Sequence, residues 1–172
     1  MDGFGIFQGK LDIKILILFI LRQLPGEVSG ETLANLAQTD GNVGYFEFAE
    51  CLSELIDTGH VEKTIVGYVI TDKGRKNCET VETSLPFTSR KKLEKRIQPM
   101  AEIMRRKAMI TAGHEVNAEG ITVHLAVSDG VSDVLDLRIL CGSDSDAQTM
   151  EKNFRDRAEQ YYNDIMGMLL QK

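Results

Sequence analysis

The chain contains no Gly-rich phosphate loop, no His-Glu-x-x-His pair, no Cys-x-x-Cys and no Gly-x-Ser-x-Gly elbow. Each of those patterns holds a reactive group at the spacing its chemistry needs, so their absence removes the common routes to phosphoryl transfer, metal-assisted hydrolysis and acyl transfer. A protein that is not an enzyme, and carries no cofactor, is expected. Cysteine is scarce: Cys51, Cys78 and Cys141 lie far apart, which suits reduced thiols and neither a disulfide framework nor a zinc site. Long apolar runs are missing as well. The longest, Ile13 to Leu21, is broken by Lys14 and closed by Arg22, well short of the roughly 20 residues a bilayer requires. The opening MDGFGIFQGK has an acidic rather than a basic start, unlike a secretory leader. A cytoplasmic location follows as the expectation.

What is present is an ordinary globular composition with an uneven charge. Over 172 residues the net charge is −6. Residues 1–89 carry 7 Lys/Arg against 13 Asp/Glu, residues 90–110 carry 8 against 2, and residues 111–172 carry 5 against 11. A positive segment thus stands between two acidic ones, in the manner of a phosphate-contacting strip or of an intramolecular clamp.

Periodicity supplies the elements. Residues 11–24 form a nearly all-apolar helix that stops before Pro25-Gly26. Ser29 caps a second helix over ETLANLAQ. Residues 45–58 form a third, with Tyr45, Phe48, Ala49, Leu52, Leu55 and Ile56 on one side and Gly59 at the C-cap. VEKTI and YVIT read as a hairpin turning at Val66-Gly67, and TDKGRK leads into a polar helix ending near Thr83. Three helices closed by a hairpin is the winged-helix order.

After the boundary at Leu85-Pro86-Phe87, Thr88 or Ser89 caps a basic helix with a seam of Leu93, Ile97, Met100 and Met104, which Pro99 should kink or divide. Alternating residues, Ile121 to Val127 and Leu135 to Cys141, belong to a three-stranded antiparallel meander. A terminal helix starts near Ser145, paired with Gln148, and runs to about Leu170 along Ala147, Met150, Phe154, Ala158, Tyr161, Ile165 and Met168. The fold class is α+β, with segments 1–84 (winged helix), 85–111 (basic linking helix) and 112–172 (dimerisation or sensor domain). The seam and the terminal stripe exceed what a small meander covers, so a homodimer is expected.

The stretch LSELIDTGHVEKTIVGYVITDKGRK resembles the third helix, wing and following turn of bacterial winged-helix transcription regulators, with Thr71, Asp72, Lys73 and Gly74 as the closing Thr-x-x-Gly. The full layout resembles an uncharacterised bacterial domain-of-unknown-function family with a predicted regulatory role. The resemblance implies regulation and supplies no ligand or catalytic residue.

Double-stranded DNA is then the expected partner. The outward positions of the third helix, Phe46, Glu47, Glu50, Ser53, Glu54 and Asp57, hold no Lys or Arg, and the wing is short and uncharged. Only Asn42 and Tyr45 qualify there as base readers. Phosphate contacts fall to Arg90, Lys91, Lys92, Lys95 and Arg96 of the basic helix, helped by Lys63, Lys73, Arg75 and Lys76. The alternative is a winged helix used as a protein-interaction module, docking through its acidic third helix and Phe46. A third class, small-molecule sensing by the C-terminal segment, requires an apolar pocket. His114, His124 and Cys141 lack the partner spacing of a metal site, and none is expected.

Overall fold

The computed structural model describes residues 9–38, 43–118 and 120–171. It divides into two compact units, one through Met104 and one from Arg105, and its class is α+β.

The first unit is built on α1 (Lys10–Gln23), in which Ile13 and every residue from Ile15 to Leu21 is buried. A helix apolar on all sides has to be packed on all sides, and α2 (Gly30–Ala37), α3 (Tyr45–Asp57) and α4 (Asp72–Val81) surround it. Ser29 caps α2 as the sequence requires, its Oγ accepting from Thr32 N at 3.2 Å. Gly59 ends α3 in the left-handed region.

The hairpin pairs β1 (Val61–Lys63) with β2 (Tyr68–Ile70) in antiparallel register, Val61 opposite Ile70. Its first strand is shorter than VEKTI. Chain reversal starts at Thr64, whose N donates to Gly67 O at 2.8 Å, and leaves Ile65 and Val66 exposed at the tip. Val28 joins the hairpin through an isolated bridge, exchanging backbone bonds of 2.9 and 2.8 Å with Tyr68. The Thr-x-x-Gly motif has a packing cause. Thr71 Oγ1 accepts from Gly74 N at 3.1 Å and donates to Gly59 O at 2.8 Å, tying α4 to the end of α3. A Cβ at Gly74 would lie 2.2 Å from the His60 carbonyl oxygen.

The basic helix, α5 (Phe87–Ala108), starts directly after Pro86, with Arg90 N donating to Pro86 O at 3.0 Å. Thr88 and Ser89 are therefore inside the first turn and do not cap it, and Ser89 is buried. Pro99 lies within an undivided helix. It is exposed, and its missing N–H removes the helical donor to the Lys95 carbonyl. Leu93, Ile97 and Ala101 are buried in the same core as α1, with Met100 and Met104 packed against it. The seam is thus filled within one chain and is not free for a coiled coil.

The second unit is a meander in the order β3 (Ile110–Asn117), β4 (Gly120–Ser128), β5 (Asp133–Cys141), crossed by α6 (Asp144–Leu170). Val123 pairs with His114 on one side and Ile139 on the other. Strand alternation sends Val123 and Leu125 inward against Ala147, Phe154 and Ala158 of α6. The cap is Ser143, not Ser145: Ser143 Oγ accepts from Asp146 N at 3.1 Å and donates to Asp146 Oδ2 at 2.7 Å. Gln148 donates to Asp144 Oδ2 instead, at 2.6 Å. The break in helical geometry falls at Arg157 of α6, with φ −138° and ψ 29°. No helix among the described residues is long and apolar enough to cross a membrane.

Candidate nucleic-acid interface

The first unit changes the meaning of the acidic third helix. Glu47, Glu50, Glu54 and Asp57 are spaced 3, 4 and 3 residues apart, which stacks them on one side of α3. That side meets the start of α1. Lys10 Nζ pairs with Glu50 and stands 3.9 Å from Glu54, and Lys14 Nζ pairs with Glu54. The Lys14 hydrogen bond, with its charge, holds the Glu54 carboxyl below its ordinary value, and the Glu50 hydrogen bond raises Lys10. Glu47 turns back on its own helix, accepting from Gly44 N at 3.3 Å. Three of the four carboxylates are thereby engaged by cations or by the helix N-terminus. Two of the four negative charges are offset by lysines, and those of Glu47 and Asp57 remain.

Besides the exposed Glu47, Glu50 and Asp57, α3 presents Tyr45, Phe46, Ala49 and Ser53 to solvent. Tyr45 and Ala49, which periodicity assigns to the apolar side, lie at its open margin. Tyr45 and Phe46 are 63% and 85% exposed and meet edge to face at 5.9 Å. Tyr45, Ser53 and Lys63 share an open groove of about 690 Å³ with Glu31, Asn35, Gln38 and Tyr68. Asn42 lies outside the described residues.

The basic side chains differ in what they have left to offer. Lys73 Nζ donates to Thr58 O at 2.7 Å, so it closes the C-terminus of α3, where a cation is favoured, and is occupied. Arg75 is half-buried, and Lys76 is exposed on α4. Arg90 stands over the Phe87 ring at 5.9 Å with a buried Nε that has no partner among the described residues. Lys91 lies 5.8 Å from the same ring and pairs with Glu94 at 2.7 Å. Lys92, Lys95 and Arg96 are exposed on α5, Lys95 opposite Leu93 and Ile97 and the other two flanking that stripe. The first unit therefore unites α3, the hairpin residue Lys63 and the exposed cations of α5 on one body. Sequence alone gives no reason to rank Lys73 and Lys91 below the rest.

The histidines do not converge. His114 faces inward, with Nε2 2.9 Å from Asp144 and Nδ1 2.5 Å from Glu151. The Glu151 hydrogen bond is the main reason its imidazole is raised above the ordinary value, and Glu151 is lowered by the same bond. His124 is on the opposite face of the sheet, 3.0 Å from Asp136. Cys141 Sγ points to Ser143 O at 3.4 Å. Burial pushes the Cys78 thiol up to about 11 and also raises Cys51, so both act as small apolar side chains. The apolar groove of the second unit, between β4, β5 and α6, measures about 290 Å³, at the lower edge of ligand-pocket size, roughly 300 Å³.

No curated protein and no solved structure matches the chain. The family model described as domain of unknown function (DUF4364) matches residues 13–169. That span takes in both units from α1 to the last turn of α6, and the chain belongs to this family.

Proposed function

We propose that the protein is a transcriptional regulator whose first unit binds double-stranded DNA as a winged helix, with two copies acting together. The carrying observation is the engagement of Glu50 and Glu54 by Lys10 and Lys14. It offsets two of the four negative charges through which the third helix would repel phosphates. Tyr45 and Ser53 are then the polar groups of α3 nearest a base edge, and Lys63, Lys76, Lys92, Lys95 and Arg96 supply the phosphate contacts. Affinity from such a set is mainly electrostatic and weakly sequence-dependent.

Replacing Lys92, Lys95 and Arg96 together by Gln is expected to weaken binding to all duplexes alike. The slope of log affinity against log salt should fall by up to about 3, since each lost phosphate contact removes roughly 0.9. Titration of fluorescent genomic duplexes over a salt series measures it. No binding by the natural protein at low salt, or an unchanged slope, overturns the proposal.

A second reading rests on a different observation. Phe46 and the wing tip Ile65-Val66 are largely exposed, and apolar side chains so placed fit a protein partner better than a phosphate backbone. Phe46→Ser that leaves DNA affinity intact while abolishing capture of a partner would favour it.

A further inference from the structure

In the meander, β5 is an edge strand of nine residues whose outer side has no partner among the described residues. An exposed edge is a template for another strand, and proteins usually blunt it with Pro, Lys or a bulge. The sequence DVLDLRILC has neither Pro nor Lys. Among the described residues, the register shift of the β4–β5 ladder, at Val127/Ser128, lies at one end of that ladder. The opposite edge is treated differently: on β3, the Arg155 guanidinium donates to the Ala112 carbonyl oxygen.

We infer that β5 pairs with β5 of a second copy of this chain, antiparallel and centred on Leu137, to give a continuous six-stranded sheet. It rests on the two-copy reading above and deepens it by naming its surface.

The register follows from charge. Joining two sheets with their helix-bearing faces on the same side requires residues of like parity to stand opposite each other. Centring on Asp136 would oppose two aspartates, and centring on Arg138 two arginines. Centring on Leu135 or Ile139 sets each charged side chain against a residue of no opposite charge. Centring on Leu137 sets Asp136 against the partner strand's arginine at 138 and Arg138 against its aspartate at 136, both on the solvent face.

The apolar residues agree with that register. On the outer face Val134 meets Leu140, which are 44% and 65% exposed in the single chain. On the inner face Leu135 meets Ile139, and Leu137 meets its own copy. Leu137 and Ile139 line the uncovered apolar groove beside Met150, Phe154 and Ile165, so the same pairing brings a second inner face up to that groove. Asp136, already 3.0 Å from His124, gains a cation, and Arg138, which has no ion pair among the described residues, gains a carboxylate. Cross-strand pairs of this kind are the unit of sheet stabilisation.

The test is a charge exchange read by light scattering and sedimentation on the full chain, with no DNA present, so that loss of the dimer and loss of DNA binding are seen separately. The natural protein is expected at twice 19.2 kDa. Asp136→Arg alone and Arg138→Asp alone each place like charges opposite one another at both pairs, and should weaken the dimer by roughly tenfold or more. The double exchange D136R/R138D restores it. A mixture of the two single variants forms the mixed dimer, because one chain then carries arginine at both positions and faces aspartate at both positions of the other. Circular dichroism confirms that each variant is folded, and rescue by the double exchange excludes damage to the fold as the cause. A natural protein that stays monomeric at high micromolar concentration overturns the inference. So do single variants that dimerise as tightly as the natural chain, or a double exchange that fails to recover.

Discussion

The two units carry their apolar surface in opposite ways. In the first, 26 of the described residues form one buried cluster around a helix with no exposed side beyond its first turn. In the second, the cluster has five buried members among the described residues, and the apolar residues packed against it, from Ile110 to Tyr161, are only partly covered. A unit that runs to Met104 can close a core on itself, whereas the shorter one from Arg105 buries proportionally less and generally needs help. The partly covered apolar surface, which the proposed strand pairing would use, belongs to the C-terminal unit. The basic helix, whose seam reads as a pairing surface in sequence, spends that seam on the N-terminal core.

The largest effect that separates the units is a core truncation in each. Phe19 and Phe154 are both almost completely buried. Phe19→Ala is expected to cost about 3–5 kcal/mol, drawn from a core with many other members. Phe154→Ala removes one of the five buried members of its cluster and the ring stacked on Tyr161 at 6.0 Å, and enlarges the groove that Leu125 lines. Amide hydrogen exchange should show α1 still protected in the first variant and β4 in free exchange in the second. Retained protection of β4 in Phe154→Ala would erase the contrast.

A smaller effect has opposite sign in the two units. His60 is held below the ordinary imidazole value, first by burial and then by the Lys73 charge, and is bridged to Thr58 and Asn77. A depressed imidazole stabilises the fold above the unfolded value of about 6.5, and that stability is lost as pH falls through the folded value. His114 is raised, mainly by its hydrogen bond to Glu151, so its contribution is complete below the unfolded value and is lost as pH rises through the folded one. Glu151, lowered by the same bond, adds stability above its unfolded value that is lost in acid. From about pH 6 to about pH 8, on either side of the free imidazole value, protection should therefore rise with pH around the β1–α4 corner and fall in the meander. His114→Gln should flatten the second trend, and parallel trends in both units would refute the assignment.

How much of this is legible in the sequence depends on whether the cause is local. Helices α1, α2 and α3 follow from periodicity and from Ser29 and Gly59, which act within a few residues of their own position. The alternation in β4 and β5 is equally local. The Val28–Tyr68 bridge is not legible, because a single residue between Pro25-Gly26 and a capping serine has no alternation to read. Nor is the capture of Glu50 and Glu54 by Lys10 and Lys14, which are separated from them by most of the helical core. The acidic face and the two lysines are each visible in the sequence; their juxtaposition is a product of α1 packing on α3. For the same reason Lys73 reads as a phosphate ligand until the fold sets the Thr58 carbonyl at its tip.

The start of α6 offers the smallest effect and the sharpest local distinction. Serines occupy positions 143 and 145 in Gly-Ser-Asp-Ser-Asp, and either satisfies a cap rule from composition. Ser145 gains support from Gln148 three residues on, which is the spacing of a capping box. The structure resolves the tie through backbone conformation. Ser143 has φ −149° and ψ 155° and Ala147 N donates to its carbonyl at 3.1 Å, whereas Ser145 is already helical. Only an extended residue can turn its hydroxyl back to the free N–H two or three residues on. Asp146 then completes the arrangement by accepting the Ser143 hydroxyl, and Asp144 and Asp146 place negative charge on the first turn, where the helix dipole favours it. Ser143→Ala should cost about 1 kcal/mol in urea melts followed on the C-terminal unit, and Ser145→Ala close to nothing. Because α6 closes the weaker of the two cores, that loss should appear in β4 exchange and leave α1 unaltered. A larger cost at Ser145 than at Ser143 would move the helix start and the face it presents to the sheet.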